Sequence, residues 1–344
     1  MELVMRAGPF TICTSRRVRL ASITTHLLNF PDFIGRDDFM LEMAGGLQRR
    51  HGRILLGSAE WAIEVQATPD TKRLVAELKA SGGNAVTHVA CIRRANGRTF
   101  SMKDAERILT QFHKLMSFAS GRWCPVVGTT GVGIDGAVVY EEWACLPSAP
   151  WGGRMNWFDE HHGETLSDLF PGFVDSLTDP KIGAAVSAAH YWYLRSNRGG
   201  EAAGADGSLI LSQAALEGLS AGYLAALGKP AGGNAAEKIR RLLGEMGIPA
   251  SIPKGFKNLR NGLLKGAWQD GPHAITKVRN ELVHPEKRSI VPVGKSVTEA
   301  WQLAQWYLEL AILRAAGYAG HYSSRLSSRW VGEVESVPWA PKTP

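Results

Sequence analysis

The run Arg279-Asn280-Glu281-Leu282-Val283-His284-Pro285 gathers the side chains with the most chemical promise in this sequence. Histidine takes up or releases a proton near neutral pH, so it serves as a general base or a general acid. A guanidinium holds two phosphate oxygens at once and offsets the charge that builds on a pentacoordinate phosphorus. Together they suit metal-free cleavage of RNA, in which the ribose 2′-OH attacks the adjacent phosphorus. DNA lacks that hydroxyl and is spared. Pro285 disfavours the α region for His284, so a helix carrying Arg279 is predicted to stop there, where its dipole favours a cationic ring. Residues five apart lie about 140° apart on an ideal helix. Convergence of Arg279 and His284 therefore needs the helix to end, or a second copy of the chain to supply one of the pair.

Spacing alone is weak evidence, because an Arg and a His five apart arise by chance roughly 0.7 times in a chain of this composition. Arg107/His113 and Arg154/His161 have similar gaps. The first pair falls inside a predicted amphipathic helix, where both side chains are expected to be solvated, and the second in a predicted linker. Only Arg279/His284 combines a helix end, a neighbouring Asn280, a following proline and a basic surrounding. From Lys229 to Arg288 there are twelve Lys and Arg against five Asp and Glu, an excess equal to the +7 of the whole chain. That stretch reads either as a solvated basic face or as a groove for phosphates, whose affinity would fall with salt. Read from the residues alone, Arg279 and His284 form a structural salt link and helix cap, a phosphate-binding pair without chemistry, or a catalytic pair.

The same run resembles the R-N-x-x-x-H motif of HEPN domains, all-helical domains of which many are metal-independent RNases in toxin–antitoxin and phage-defence systems. Flanking segments resemble ApeA-type HEPN proteins: Gln213-Ala-Ala-Leu-Glu217, Gly247 to Pro253, Trp306 to Leu313 and Gly320 to Arg325. The resemblance covers about residues 185–328. It implies a symmetric homodimer in which two Arg/His motifs face one cleft. Arg279 and His284 then carry over as the catalytic pair, Asn280 as the polar residue beside the arginine, and Glu217 as an acid that positions it. The implied substrate is RNA, with no metal and no cofactor. Some HEPN proteins are not nucleases, so a non-catalytic dimerisation or RNA-binding and nucleotide-binding module is the alternative.

Other chemically suggestive residues have plainer readings. His161-His162 follows Asp159-Glu160, but no third and fourth metal ligand stands out, which favours a helix-start or packing role. Glu141-Glu142 in a strand face opposite sides. Gly128 to Gly133 lacks the Gly-Lys-Ser/Thr of a phosphate loop and reads as hairpin connections. Arg16-Arg17-Val-Arg19 and Arg49-Arg50-His51-Gly-Arg53 read as solvated surface, and the eleven Trp as packing. Trp151 and Trp157, in the linker, are the exceptions that merit a test.

Around these residues the sequence predicts an α+β protein. Residues 1–150 are strand-rich, with hairpin signals at Asn96-Gly97 and Gly133-Ile-Asp-Gly136, and a helix that opens on Ser101 and Asp104 as a capping pair. Residues 151–180 read as a linker and connecting helix, 181–328 as a helical bundle, and 329–344 as a tail. Ser196 to Gly207 reads as a Gly-rich loop. In the bundle, Asn234 and Glu237 form an N-terminal box, Pro272 sits in a first turn, and Ser296 with Glu299 caps a last helix that is apolar nearly all round. The N-terminal domain is expected to sense a phage or cellular trigger.

At 344 residues, with 44% hydrophobic and 21% charged residues, the chain is built for about two globular domains and not for disorder. Four dispersed cysteines, Cys13, Cys91, Cys124 and Cys145, make no zinc spacing and read as free thiols in a reducing compartment. No membrane span or leader is read: the most apolar window, Val297 to Tyr318, is broken by Gln302, Gln305, Glu309 and Arg314. The expectation is a cytoplasmic protein in defence or toxin-like growth arrest.

Overall fold

A computed structural model describes residues 2–4, 10–13, 18–36, 39–43, 46–143, 147–152, 155–197, 204–230, 232–284, 286, 294–326 and 330–341. The fold is α+β, a strand-rich N-terminal region followed by helices, and it divides into two compact units. Unit one comprises Met1–Gly153 with Phe158–Pro171, and unit two comprises Arg154–Trp157 with Gly172–Pro344.

Unit one contains β1 (Glu2–Val4), β2 (Phe10–Cys13), β3 (Arg19–Leu20), β4 (Ser22–Leu28), β5 (Phe39–Met43), β6 (Gly46–Arg50), β7 (Arg53–Gly57) and β8 (Trp61–Ala67). These are followed by α1 (Thr71–Ser81), β9 (Val86–Arg94), β10 (Phe100–Ser101), α2 (Met102–Ser120), β11 (Val126–Val132) and β12 (Val138–Trp143). Eight strands form one antiparallel sheet in the order β1-β2-β12-β11-β4-β9-β8-β7. Strands β4 and β8 alternate buried and exposed residues, the period-two pattern that puts Ile23, Thr25 and Leu27, and Trp61, Ile63 and Val65, on the core side. The sheet's partner α2 opens with the expected capping box: Ser101 Oγ accepts from the Asp104 N–H at 3.2 Å, and Asp104 Oδ2 accepts from the Ser101 N–H at 3.2 Å.

Two turn readings need correction. Asn96-Gly97 does make a turn, with the Gly97 N–H bonded to the Arg94 carbonyl at 3.0 Å. The strand after it pairs with β3, Phe100 opposite Leu20, and not back onto β9. Phe100 packs edge-on against Trp61 at 5.0 Å, a buried aromatic pair that outweighs the local hairpin register. Gly128 to Val132 is strand β11 and not a loop. The register against β4 shifts between Val127 and Thr130, and Gly128 adopts φ +59° there, which fits the unpaired position of a bulge.

Buried histidines make unit one sensitive to acid. The His88 ring is fully buried, stacked on Phe33 at 5.2 Å, with Nδ1 3.0 Å from Thr87 Oγ1. Burial pulls its pKa down to about 3 from an ordinary 6.5. Burial, and then Lys114, pull His113 down to about 4. The unfolded chain binds protons at these sites that the folded chain refuses. Stability is therefore complete above about pH 6.5 and is lost as the pH falls toward these lowered values. Thermal unfolding followed from pH 7 down to about pH 4 is expected to show this loss. His88→Phe, which keeps a ring and removes the titration, should flatten the decline.

Unit two is helical: α3 (Glu164–Thr178), α4 (Gly183–Ser196), α5 (Gly204–Ala226), α6 (Ala235–Met246), α7 (Lys257–Leu264), α8 (Gly271–Val283) and α9 (Val297–Ala315), followed by the short strands β13 (His321–Tyr322) and β14 (Glu335–Ser336). The unit boundary falls inside α3 at Pro171 and Gly172. Helix α9 is buried from Leu303 to Leu313 without a break, as its all-round apolarity predicts. Helix α5 has the length and apolarity to cross a bilayer, yet it packs against α4, α6, α8 and α9 at the centre of the bundle. The Asn234/Glu237 box forms. The expected Ser296/Glu299 cap does not: the Ser296 side chain makes no cap bond, and the Glu299 carboxylate accepts from the N–H groups of Asn258 at 3.2 Å and Leu259 at 2.9 Å. Glu299 thus caps α7, whose own N-cap residue, Phe256, has no side-chain acceptor.

The ends of unit two are tied in. Trp157 is fully buried, and its carbonyl accepts from the Ser323 N–H at 2.7 Å. Residues 335–339 fold onto the bundle as well: β14 pairs with β13, Val337 is buried, and the Trp339 indole donates to the Tyr318 carbonyl at 2.7 Å. In the Gly-rich stretch 196–207, residues 198–203 lie outside the described set, as does Cys145. Cys91 and Cys124 are free thiols, and burial pushes Cys124 up to about 12.

Candidate active site

Helix α8 carries the Arg279–His284 motif and is fixed at its N-terminus. The Asp270 carboxylate accepts the His273 N–H at 2.9 Å and is gripped at both oxygens by Arg240 of α6. Pro272 occupies the first turn, where its missing N–H costs nothing. Gly271 is there for space: a Cβ would come within 2.2 Å of the Tyr307 hydroxyl of α9. Ile275 and Val278 are fully buried and hold one face of α8 against the bundle.

The helix ends at Val283. His284 leaves the α region at φ −134° and ψ 78°, with its N–H still bonded to the Asn280 carbonyl at 2.8 Å. The departure from the α region is what a following proline imposes, although ψ stops short of the fully extended values. Pro285 itself lies outside the described residues.

The three motif side chains take up different environments. Arg279 is half-buried and its Nη1 donates to Asn280 Oδ1 at 3.1 Å. Its Nε is buried and unpartnered among the described residues. His284 is exposed at the helix end, with 46% of its side chain accessible and Nδ1 3.6 Å from Glu286 Oε1. The structure brings Arg279 and Asn280 together. Beyond the backbone bond from the His284 N–H to the Asn280 carbonyl, no side-chain hydrogen bond joins either to His284 among the described residues, as the angular offset on the helix anticipates. Glu217 sits on α5 with Oε1 3.3 Å from Lys238 Nζ of α6, so its partner is that lysine and not Arg279.

The basic stretch is partly neutralised. Lys229 meets Glu245 at 2.5 Å, Lys238 meets Glu217, and Arg240 meets Asp270. One polar group escaped sequence reading. Thr276, three residues before Arg279 on α8, is 8% exposed, and its Oγ1 has no partner among the described residues. It shares a face with Arg279 by helical spacing, a placement that the i, i+3 rule makes legible once the arginine is singled out.

The other suggestive residues serve structure. Asp159 Oδ1 accepts from the His161 N–H at 2.8 Å, and His162 Nδ1 lies 3.1 Å from Glu164 Oε1 at the start of α3, the helix-start role read for this segment. Glu141 and Glu142 face Thr130 and Thr129 across β11 and β12. The Arg122 guanidinium lies 4.3 Å over the Trp151 ring. Arg16, Arg17 and Arg154 lie outside the described residues.

Comparison with known proteins relates both units to one protein. A family model described as the YopA C-terminal domain matches residues 179–336, which include the whole Arg279–His284 motif. A second, the YopA central domain, matches residues 15–154. The chain is similar to YopA along nearly its whole length. The SPbeta prophage-derived uncharacterized protein YopA of Bacillus subtilis strain 168 is 28% identical over 339 residues, covering 96% of this chain and 74% of that protein. No solved structure matches. The stretch that resembles the YopA C-terminal domain contains the motif.

Proposed function

We propose that this protein is a metal-independent endoribonuclease of HEPN type, acting as a cytoplasmic homodimer in phage defence or toxin-like growth arrest. The observation that carries the reading is the split environment of the motif. Arg279 and Asn280 are held half-buried on a helix anchored at its other end, while His284 stands exposed where that helix stops. One such pair is half a site. A two-fold partner supplies a second imidazole, so that one ring acts as base and the other as acid.

In the reaction, one imidazole takes the proton of the ribose 2′-OH, and the oxygen attacks phosphorus. Charge on the pentacoordinate phosphorane is met by Arg279, whose Nη1 is oriented by Asn280. The 5′-oxygen leaves with a proton from the second imidazole. The products are a 2′,3′-cyclic phosphate and a 5′-hydroxyl, and no external reagent enters the balance. The Bacillus subtilis relative is described as prophage-derived, which fits a role in conflict between phage and host.

A non-catalytic RNA-binding and dimerisation module is the second reading. It is favoured by the engagement of Glu217 with Lys238 in place of Arg279. Expression in bacteria separates the two. The nuclease predicts growth arrest that Arg279→Ala or His284→Ala relieves, whereas the module predicts equal growth of all three strains.

A further inference from the structure

Unit one holds an open cleft of about 560 Å³, far in sequence from the motif. Small-molecule sites commonly enclose about 300–1,000 Å³. Lys72 and Lys79, exposed residues two turns apart on one face of α1, line the cleft. Asp32, in the chain after β4, and Glu160, in the chain before α3, line it too. These last two segments are stitched together: the Ile34 N–H donates to the Glu160 carbonyl at 2.8 Å, and the Gly163 N–H donates to the Ile34 carbonyl at 3.0 Å. The cleft therefore has a cationic side on α1 and an anionic side on the stitched segments. His51 and His161 complete its ionisable lining.

The two signs act on each other without pairing. Neither the Glu160 nor the Lys79 side chain makes an ion pair or a hydrogen bond among the described residues. The Glu160 carboxyl nevertheless feels the lysine: burial pushes its pKa up, Lys79 pulls it down, and Asp32 and Asp159 push it up again. A half-buried carboxylate without a counter-ion costs free energy, which a bound cation relieves. Fixed backbone keeps the two poles in place. A Cβ on Gly163 would come within 2.6 Å of the Ile34 carbonyl oxygen, so the anionic side is close-packed. Helix α1 is anchored by buried Val75 and Leu78 and by the Thr71 hydroxyl, which donates to the Thr87 carbonyl.

An unpaired carboxylate and an unpaired ammonium lining one cleft are complementary to a small molecule that carries both charges. We propose that this cleft binds a free α-amino acid with an aliphatic side chain, its ammonium on Glu160 and its carboxylate on Lys79. Ile34 and Val75, also in the lining, offer apolar surface to the side chain. A ligand bearing only a carboxylate meets the like charges of Asp32 and Glu160, and one bearing only an ammonium meets those of Lys72 and Lys79, so the zwitterion is preferred over either. The site stands on unit one alone and is independent of the ribonuclease reading.

The test is titration of the whole 344-residue chain with L-leucine at neutral pH and constant ionic strength, followed through the backbone amide signals of Ile34, Lys79 and His161. Saturable movement of these signals is expected. Neither isocaproate, which lacks the amine, nor isoamylammonium, which lacks the carboxylate, should reproduce it. Glu160→Gln and Lys79→Gln should each weaken binding about tenfold, the size of one charge-assisted hydrogen bond. Lys79 is on the surface, so its variant reports on binding even if Glu160→Gln perturbs the fold. A response that never saturates, one that isocaproate or isoamylammonium matches, or one unchanged in Lys79→Gln overturns the proposal.

Discussion

Arg325→Ala is expected to destabilise unit two by about 3–5 kcal/mol, because it leaves the Glu309 carboxylate buried and uncompensated. Both side chains have zero exposure. Arg325 pairs with Glu309 through two nitrogens, one of them Nε to Oε2 at 2.9 Å, and Nη2 also donates to the Met155 carbonyl at 2.7 Å and to Asn197 Oδ1 at 3.1 Å. The Tyr193 hydroxyl donates to Glu309 Oε1 at 2.7 Å. Burial, and then the Glu309 charge, raise the Tyr193 pKa well above the ordinary phenol range, so it remains a donor. One network thus ties α4, α9, the segment before α3 and the chain after β13.

Equilibrium denaturation of the variant measures the loss, which in a unit of this size appears as a fall in Tm of roughly 6–20 °C. The double variant Arg325→Met/Glu309→Leu removes both charges and should recover most of that stability, since apolar replacement of a buried pair is often neutral or better. A loss below about 1 kcal/mol for Arg325→Ala would contradict this account of the network.

Features of the fold that depend on three or four neighbouring residues were legible in the sequence. The boxes at Ser101/Asp104 and Asn234/Glu237 form because both partners lie on one turn and compete with nothing nearby. The Gly133–Gly136 hairpin and the burial of α9 follow from patterns equally local. Where a local signal met a stronger distant partner, it was overridden. Glu299 has the right spacing from Ser296, but the first turn of α7 offers it two backbone donors and an amide. Phe100 follows a good hairpin turn, but its ring belongs with Trp61.

The buried charges were illegible for a related reason. Glu309 interrupts an apolar helix and looks like a solvated residue until Arg325 and Tyr193 arrive from outside that helix. For the candidate site, the helix and its end were readable from Arg279 to Pro285. The engagement of Glu217 was not, because Lys238 lies on a different helix.

His284→Ala is expected to lower RNA cleavage by about 10²–10⁴-fold, the usual worth of a general acid or base. Arg279→Ala should cost about 10²–10³-fold through lost stabilisation of the phosphorane. The histidine is exposed at a helix end, so its removal should change stability by no more than about 0.5 kcal/mol, and circular dichroism melts of the two proteins should superimpose. Arg279 is half-buried and bonded to Asn280, so Arg279→Lys is the gentler control: it keeps the charge and loses the planar fork. Asn280→Ala should reduce cleavage less than either, since it touches the arginine and not the substrate. If Arg279 and His284 form only a cap and salt link, these variants shift stability and leave any RNA phenotype where it was.

The most direct test is incubation of the purified chain with 5′-labelled single-stranded RNA in excess EDTA, beside the DNA strand of the same sequence. The account predicts RNA fragments ending in 2′,3′-cyclic phosphate, intact DNA, and no fragments from His284→Ala. RNA cut by His284→Ala at the wild-type rate, or wild-type cleavage that EDTA abolishes, would contradict it.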